Sequence, residues 1–319
     1  MRGQWLPRRS AVLLTSSVIV AGASYVGVLG ACSSFSADGA VDAGPDAPAA
    51  DTSPRACDTD SLFQTPSPVD SINDALDTGG ARLTSDELTV YFSSARGGTE
   101  DLYVATRAST TAPFGTPQRI EKLSTTMLVE DYPSISTDRR FLFFSQAQPL
   151  VAGSYNLFFS TIDDAGTFAA ASALGETTAF HDLAPFVASN GDVYFTSDAR
   201  TGFSFDIYRL QRKANAFDFE PRELLATVSS EQSDSAAVLS ADLLTMYLAS
   251  NRPGSKEEDI WVAHRQTPSG DFGAPERVEN VSSATADVPS WLSPDNCRLY
   301  LTSKRGGPRK VYVAARVQQ

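Results

Sequence analysis

The sequence predicts an all-β fold: a five-bladed β-propeller with four antiparallel strands per blade, the ring closed by the N-terminal strand in the last blade. Three observations predict it. Short β-type runs return at an even period, other sequence columns move with them, and a run missing from the C-terminal copy stands at the opposite end of the repeat region. The first runs are Val90-Tyr91-Phe92-Ser93, Leu142-Phe143-Phe144-Ser145, Val193-Tyr194-Phe195-Thr196, Met246-Tyr247-Leu248-Ala249 and Leu299-Tyr300-Leu301-Thr302. Their first aromatics are spaced by 52, 51, 53 and 53 residues. Repeats of about 50 residues rich in short strands suit propeller blades, and the absence of a helical period excludes helix-pair solenoids.

From the N-terminus, residues 1–31 carry Arg2, Arg8 and Arg9, no acid, and then an apolar run ending in small residues. That is the pattern of a secretory signal; the alternative is a single membrane-spanning helix. Leu29-Gly30-Ala31-Cys32 resembles the bacterial lipobox, which implies cleavage before Cys32 and lipidation of that cysteine. Ser33 after it resembles an outer-membrane address, so the expectation is an outer-membrane-anchored lipoprotein of the bacterial cell envelope facing the periplasm or the cell surface. Residues 32–56 are mostly Ser, Ala, Asp, Gly and Pro, too polar and small to bury a core, and read as a flexible tether. Residues 57–319 then form a single propeller domain.

Within each copy an acid precedes the first aromatic by five residues, at Asp86, Asp138, Asp242 and Asp295, with Asn190 one place closer. Thr84, Ser136, Ser240 and Ser293 stand two residues before those acids. A turn arginine follows at Arg96, Arg200, Arg252 and Arg305, and then a second run opened by Asp101, Asn156, Asp206, Asp259 or Lys310. Copies with Arg96, Arg200 and Arg252 also hold Asp101, Asp206 and Asp259, which predicts an Arg–Asp pair fixing each hairpin. The last run places apolar residues at every third position, as in Phe114, Pro117, Ile120 and Leu123 or Phe272, Pro275, Val278 and Val281. The fifth copy ends at Arg316 without it, whereas Phe63, Pro66, Val69 and Ile72 repeat it before the first copy. Pairing that segment with the last blade removes the free edges that invite aggregation.

The pattern P-x-x-S-x-D-x-x-L-Y-F-x-S-x-R-x-G…D-I-Y resembles the TolB-like Pro-Asp repeat of WD40-like β-propellers. Asp287-Val288-Pro289-Ser290-Trp291-Leu292-Ser293-Pro294-Asp295 is the best copy of its first half, and Tyr194-Phe195 through Asp206-Ile207-Tyr208 is a good copy of its second. The second copy departs from it, with Gln146 and Gln148 in place of the arginine turn. Kelch repeats are the nearest rival, but their glycine pairs do not recur in every copy here. The TolB ring implied by the resemblance has six blades, and this chain has room for five.

With Cys32 lipidated, Cys57 and Cys297 remain, one before the closing strand and one in the blade that it completes. In an oxidising compartment they are expected to form a disulfide; two free buried thiols are the alternative.

The net charge is −12, which argues against a nucleic-acid partner and against docking on anionic lipid, so membrane contact is expected only through the anchor at Cys32. Two histidines and three cysteines leave little for a zinc site. No cofactor is expected. A metal is left open, because oxygen ligands for calcium are plentiful. His181 adjoins Asp182, but nothing supplies a nucleophile at a defined spacing, and a loop histidine is the simpler reading. One further column, Asp77, Asp131, Asp182, Asp234 and Asp287, precedes the first strand of each copy. Around a channel mouth these carboxylates would form a ligand-binding ring for cations or basic peptides; the alternative is that each caps its own loop. The leading expectation is a non-catalytic binding scaffold for a protein, peptide or glycan of the envelope. The competing one is a glycosidase-like enzyme using funnel carboxylates.

Overall fold

The computed structural model describes residues 57–148, 154–175, 177–214 and 217–318, all within the unit Ser53–Gln319. The predicted signal segment, the tether and Cys32 lie outside the described residues. Five four-stranded antiparallel sheets form the blades. The first contains β2 (Thr78–Leu83), β3 (Thr89–Ser94), β4 (Asp101–Thr106) and β5 (Gln118–Arg119). The second contains β6 (Glu130–Ile135), β7 (Phe141–Ala147), β8 (Tyr155–Thr161) and β9 (Ser172–Ala173). The third contains β10 (Asp182–Val187), β11 (Val193–Ser197), β12 (Asp206–Leu210) and β13 (Glu223–Leu224). The fourth contains β14 (Asp234–Leu239), β15 (Thr245–Ser250), β16 (Asp259–His264) and β17 (Glu276–Arg277). The fifth contains β18 (Asp287–Leu292), β19 (Arg298–Ser303), β20 (Lys310–Ala315) and, outermost, β1 (Ser67–Pro68).

The ring therefore closes as the sequence predicts. Ser67 pairs with Val313 and Pro68 with Tyr312. The Gln64 and Val69 amides donate to the carbonyls of Ala315 (2.8 Å) and Val311 (2.9 Å). Phe63 and Ile72, the apolar ends of the closing run, are buried. Arg316 lies 4.2 Å over the Phe63 ring and donates to the Ser61 carbonyl and, at 3.2 Å, to the Tyr247 hydroxyl. Cys57 and Cys297 form a disulfide. The outer strands are only two residues long because their runs spend residues on buried anchors, such as Phe114, Ile120 and Leu123. Their prolines also supply no ladder N–H.

The Ser/Thr and Asp columns build the hairpin between the first two strands of each blade. The hydroxyls of Thr84, Ser136 and Ser240 donate to Asp86, Asp138 and Asp242 at 2.5–2.6 Å. Each of those carboxylates also accepts the amide two residues on, from Leu88, Arg140 and Leu244. Ser293, Asp295 and Cys297 repeat the arrangement. The carboxylate holds the turn while the next residue takes positive φ: Glu87 (61°), Arg139 (59°), Leu243 (66°) and Asn296 (59°). In the third copy Gly191 takes that conformation, flanked by Asn190 and Asp192.

The predicted Arg–Asp pairs are corrected in part. Arg200 does pair with Asp206 (Nε–Oδ2 2.8 Å). Arg252 and Arg305, however, reach Asp234 (2.5 Å) and Asp287 (2.6 Å), at the start of their blades' inner strands. Arg96 meets Asp74 and the Ser94 hydroxyl. Asp101 and Asp259 are taken by Arg119 (3.0 Å) and Arg277 (2.7 Å) from the outer strands. In both the fourth and fifth blades the turn arginine is drawn inwards by a serine, Ser250 or Ser303, and by a buried carboxylate directly opposite that serine in the ladder.

Neighbouring blades are joined by a hydroxyl-to-bulge contact. The inner strands bulge after their second residue, and the bulge residues Gly80, Tyr132, Ala184 and Ala236 have φ of 50–60°. The amides of Gly80, Ala184 and Ala236 donate to Thr302, Ser145 and Thr196 of the preceding blade at 2.9–3.0 Å. At Tyr132 the Asp131 carboxylate is interposed between the amide and Ser93. The fifth blade has Pro289 at this place, which has no N–H and cannot take positive φ, so the register shift moves to lie between Pro289 and Trp291. The preceding blade correspondingly carries Ala249, with no hydroxyl to leave unpaired.

Candidate functional site at the channel mouth

The cross-strand register sorts the predicted acidic column. Asp182, Asp234 and Asp287 stand opposite Ser197, Ser250 and Ser303. The residues at the same place in the first two blades are Thr78, opposite Ser94, and Glu130, opposite Gln146. Side chains here point into the blade and cap the loop that enters it. Ser230 donates its amide and hydroxyl to Asp234 (2.6 and 2.7 Å), Thr125 donates both to Glu130 (3.0 Å), and Ser283 donates its amide to Asp287. Asp182 is held bidentately by Arg222 at 2.9 and 3.0 Å. Asp182, Asp234 and Asp287 are all buried.

Asp131 is different. It lies one residue further along its strand than Glu130, and alternation turns it to the opposite face of the blade. Its Oδ1 accepts from Ser93 and from the Tyr132 amide, while its Oδ2 lies 3.7 Å from Arg309. Asp77 precedes its strand, keeps a side chain 44% exposed, and also meets Arg309, both at the guanidinium (3.4 Å) and at the backbone amide (2.8 Å). Of the five carboxylates, the structure thus brings Asp77 and Asp131 together on one arginine and places the other three inside the blades.

Around that arginine runs a ring that the sequence reading did not identify. The residue preceding the third strand of each blade is Glu100, Tyr155, Phe205, Glu258 and Arg309 in turn (Tyr155 opens β8 itself). The carbonyls of Glu100, Phe205, Glu258 and Arg309 each accept the amide that begins the next blade's inner strand, from Glu130, Asp234, Asp287 and Thr78 at 2.8–3.0 Å. This seats the ring at the channel entrance. Arg309 bonds Glu100 as well as Asp131 and Asp77. Tyr155 lies beside His181 with its ring tilted (6.0 Å between rings), and His181 meets the Phe205 edge at 6.3 Å. Glu258 accepts from Ser235 at 3.2 Å.

The electrostatics follow from three acids sharing one guanidinium. Burial, then the Asp131 charge, pushes the Glu100 carboxyl up to about 7 despite Arg309. Burial also raises Glu258, opposed by Ser235 and Lys304. Tyr132 stands behind the ring, its phenol held above the usual range by burial and by the Asp131 charge. Among the described residues no cluster of three or more His, Cys, Asp or Glu side chains is arranged to hold a metal ion. The sequence signal for the ring was variation: the residue just after it, Asp101, Asn156, Asp206, Asp259 or Lys310, is an aspartate in three copies, whereas the ring residue is mostly different from blade to blade.

No protein-family model matches the chain, and no curated protein is found as a relative. Solved structures share its architecture. A GH43_1 enzyme from Xanthomonas citri superposes with a TM-score of 0.54 at 14% identity, covering 78% of this chain and 90% of that one. A GH62 hydrolase solved with xylotriose gives 0.53 at 10% identity, covering 80% and 97%. TolB from Acinetobacter baumannii gives 0.47 at 16% identity; the match covers 78% of this chain and only 57% of TolB. At these identities the glycoside hydrolase likenesses establish the β-propeller fold alone.

Proposed function

We propose that this propeller is a non-catalytic binding scaffold of the bacterial cell envelope whose recognition face is the channel mouth ringed by Glu100, Tyr155, Phe205, Glu258 and Arg309, with Asp131 and Asp77 beside them. The observation that carries this reading is the contrast between repeated and varied positions. Hairpin, bulge and loop-capping residues recur from blade to blade, while the ring at the mouth changes. Carboxylates beside aromatic faces suit a basic peptide segment or a hydroxyl-rich glycan of an envelope partner. Arg309 favours binding over hydrolysis, because its guanidinium already bridges Glu100 and Asp131. A hydrolytic pair needs the space between its carboxyls for the scissile bond. A second reading, a carbohydrate-active enzyme, draws on Glu100, whose carboxyl near 7 suits a general acid. Screening the protein against basic peptides and oligosaccharides while assaying released reducing ends separates the two. Binding without turnover supports the scaffold; turnover abolished by Glu100→Gln supports the enzyme.

The anchor belongs to the same proposal and rests on Leu29-Gly30-Ala31-Cys32. Metabolic labelling with a fatty-acid analogue is expected to mark the wild-type protein and not Cys32→Ser; equal labelling removes the anchor from the account.

A further inference from the structure

At the opposite end of the channel, where the inner strands finish, lies a cavity of about 230 Å³. All five inner strands contribute to its wall. The channel-facing layer there is Arg82, Ser134, Phe186, Val238 and Trp291, the residues opposite the first aromatic of each repeat. All of them except Val238 line the cavity, with Leu83, Ile135, Val187, Leu239 and Leu292 making much of the remaining wall apolar.

Arg82 is the anomaly in this layer. It is 1% exposed, and its Nε, Nη1 and Nη2 have no hydrogen-bond partner among the described residues. No carboxylate pairs with it there; its guanidinium lies 4.9 Å over the Phe186 ring. Elsewhere in this propeller arginines approaching aromatic rings also find an oxygen: Arg252 and Arg305, over Trp261 and Tyr312, bond Asp234 and Asp287. Burial pulls the Arg82 pKa down to about 9, opposed in part by the Tyr132 phenol. A guanidinium offers a planar fork of donors that a carboxylate fits bidentately, and leaving those donors dry and unpaired is costly.

We propose that this end of the channel is a binding site for a small carboxylate with an apolar body, its carboxyl group received by Arg82 and its body held between Phe186 and Trp291. The volume is roughly eight times a water molecule's share of the liquid, which limits the ligand to a small molecule or one side chain of a larger one. Ser and Thr hydroxyls also line the cavity, but the Phe186 and Trp291 rings with Leu83, Ile135, Val187, Leu239 and Leu292 favour a ligand with an apolar body over a fully hydrated anion such as phosphate. The site is separate from the proposed recognition mouth and does not depend on that reading.

The test is calorimetric titration of the intact purified protein with benzoate, benzamide and inorganic phosphate at constant ionic strength. Benzoate is expected to bind saturably at one site, with benzamide and phosphate each at least about tenfold weaker, because only benzoate offers both the charge and the apolar body. Arg82→Gln is expected to lose benzoate by a similar factor while Arg82→Lys retains part of it. No saturable benzoate binding, benzamide or phosphate binding as tightly as benzoate, or undiminished binding to Arg82→Gln would overturn the proposal. The three wild-type titrations decide it even where a variant does not fold.

Discussion

Glu100 shows how a single position acquires its chemistry from its neighbours. It is bonded to Arg309, yet burial and the Asp131 charge outweigh that contact and raise its carboxyl to about 7. A carboxyl whose folded pKa lies above its unfolded value stabilises the fold least when ionised. Its contribution is fully present below the unfolded pKa, near 4.5, and is lost as pH rises through about 7. Glu100→Gln is therefore expected to match wild type at pH 4 and to exceed it at pH 8, by about 1–3 kcal/mol in denaturant unfolding. A difference independent of pH would contradict the assignment. The sequence did not announce this residue's raised carboxyl, because it depends on Asp131 and Arg309, which reach it from two other blades. The disulfide cysteines were legible for the opposite reason: with Cys32 assigned to the anchor, the order of the strands brings the remaining two to one junction.

Each blade reuses one set of local devices, and these were the most legible part of the chain. The Ser/Thr–Asp columns stood out because four of the five copies use the same side-chain oxygens to hold the same positive-φ turn, Asn190 and Gly191 replacing them in the third. The Arg–Asp pairing was read less well. Sequence spacing placed Arg252 beside Asp259, but Arg277 of the outer strand already holds Asp259, and Arg252 turns instead to Asp234 at the inner edge. The acidic column was blurred by one residue for a related reason. Alternation sends Glu130 and Asp131 to opposite faces of the blade, and adjacent acids in a sequence do not reveal which one shares a register with Asp182. The hydroxyl joints between blades give an element-scale prediction. Thr196→Val keeps the shape but strips the acceptor from the buried Ala236 amide, and is expected to cost about 1–3 kcal/mol. Ala249→Val in the fourth blade breaks no such bond, since Pro289 has no amide to satisfy. An equal hydrogen-bond penalty at both positions, after allowing for packing, would show that the joint carries no stability.

For the whole molecule, closure is the dominant feature. The N-terminal strand completes the fifth blade, and the Cys57–Cys297 bond, across a sequence separation of 240, ties the same junction covalently. In the chain-entropy model a loop of that length contributes about 5 kcal/mol, so Cys297→Ala is expected to lower stability by a few kcal/mol while the ladder to β20 still holds the ring. Unchanged unfolding after reduction would mean that the strand alone closes it. Fold and closure were legible because a repeat displays its own alignment; the mouth was not, since a site made of the positions that vary has no period to find. The most direct test of the central claim, that this varied ring is the recognition face, is to measure one panel of basic peptides and oligosaccharides by calorimetry. Wild type is compared with the combined variant Glu100→Gln, Asp131→Asn and Glu258→Gln at low and high salt. Removing three carboxylates from the one cluster around Arg309 and its neighbouring blade is expected to weaken the tightest wild-type ligand about tenfold or more, with added salt weakening the wild-type complex too. The same affinity in both proteins, unaffected by salt, would contradict the account and place recognition away from the mouth.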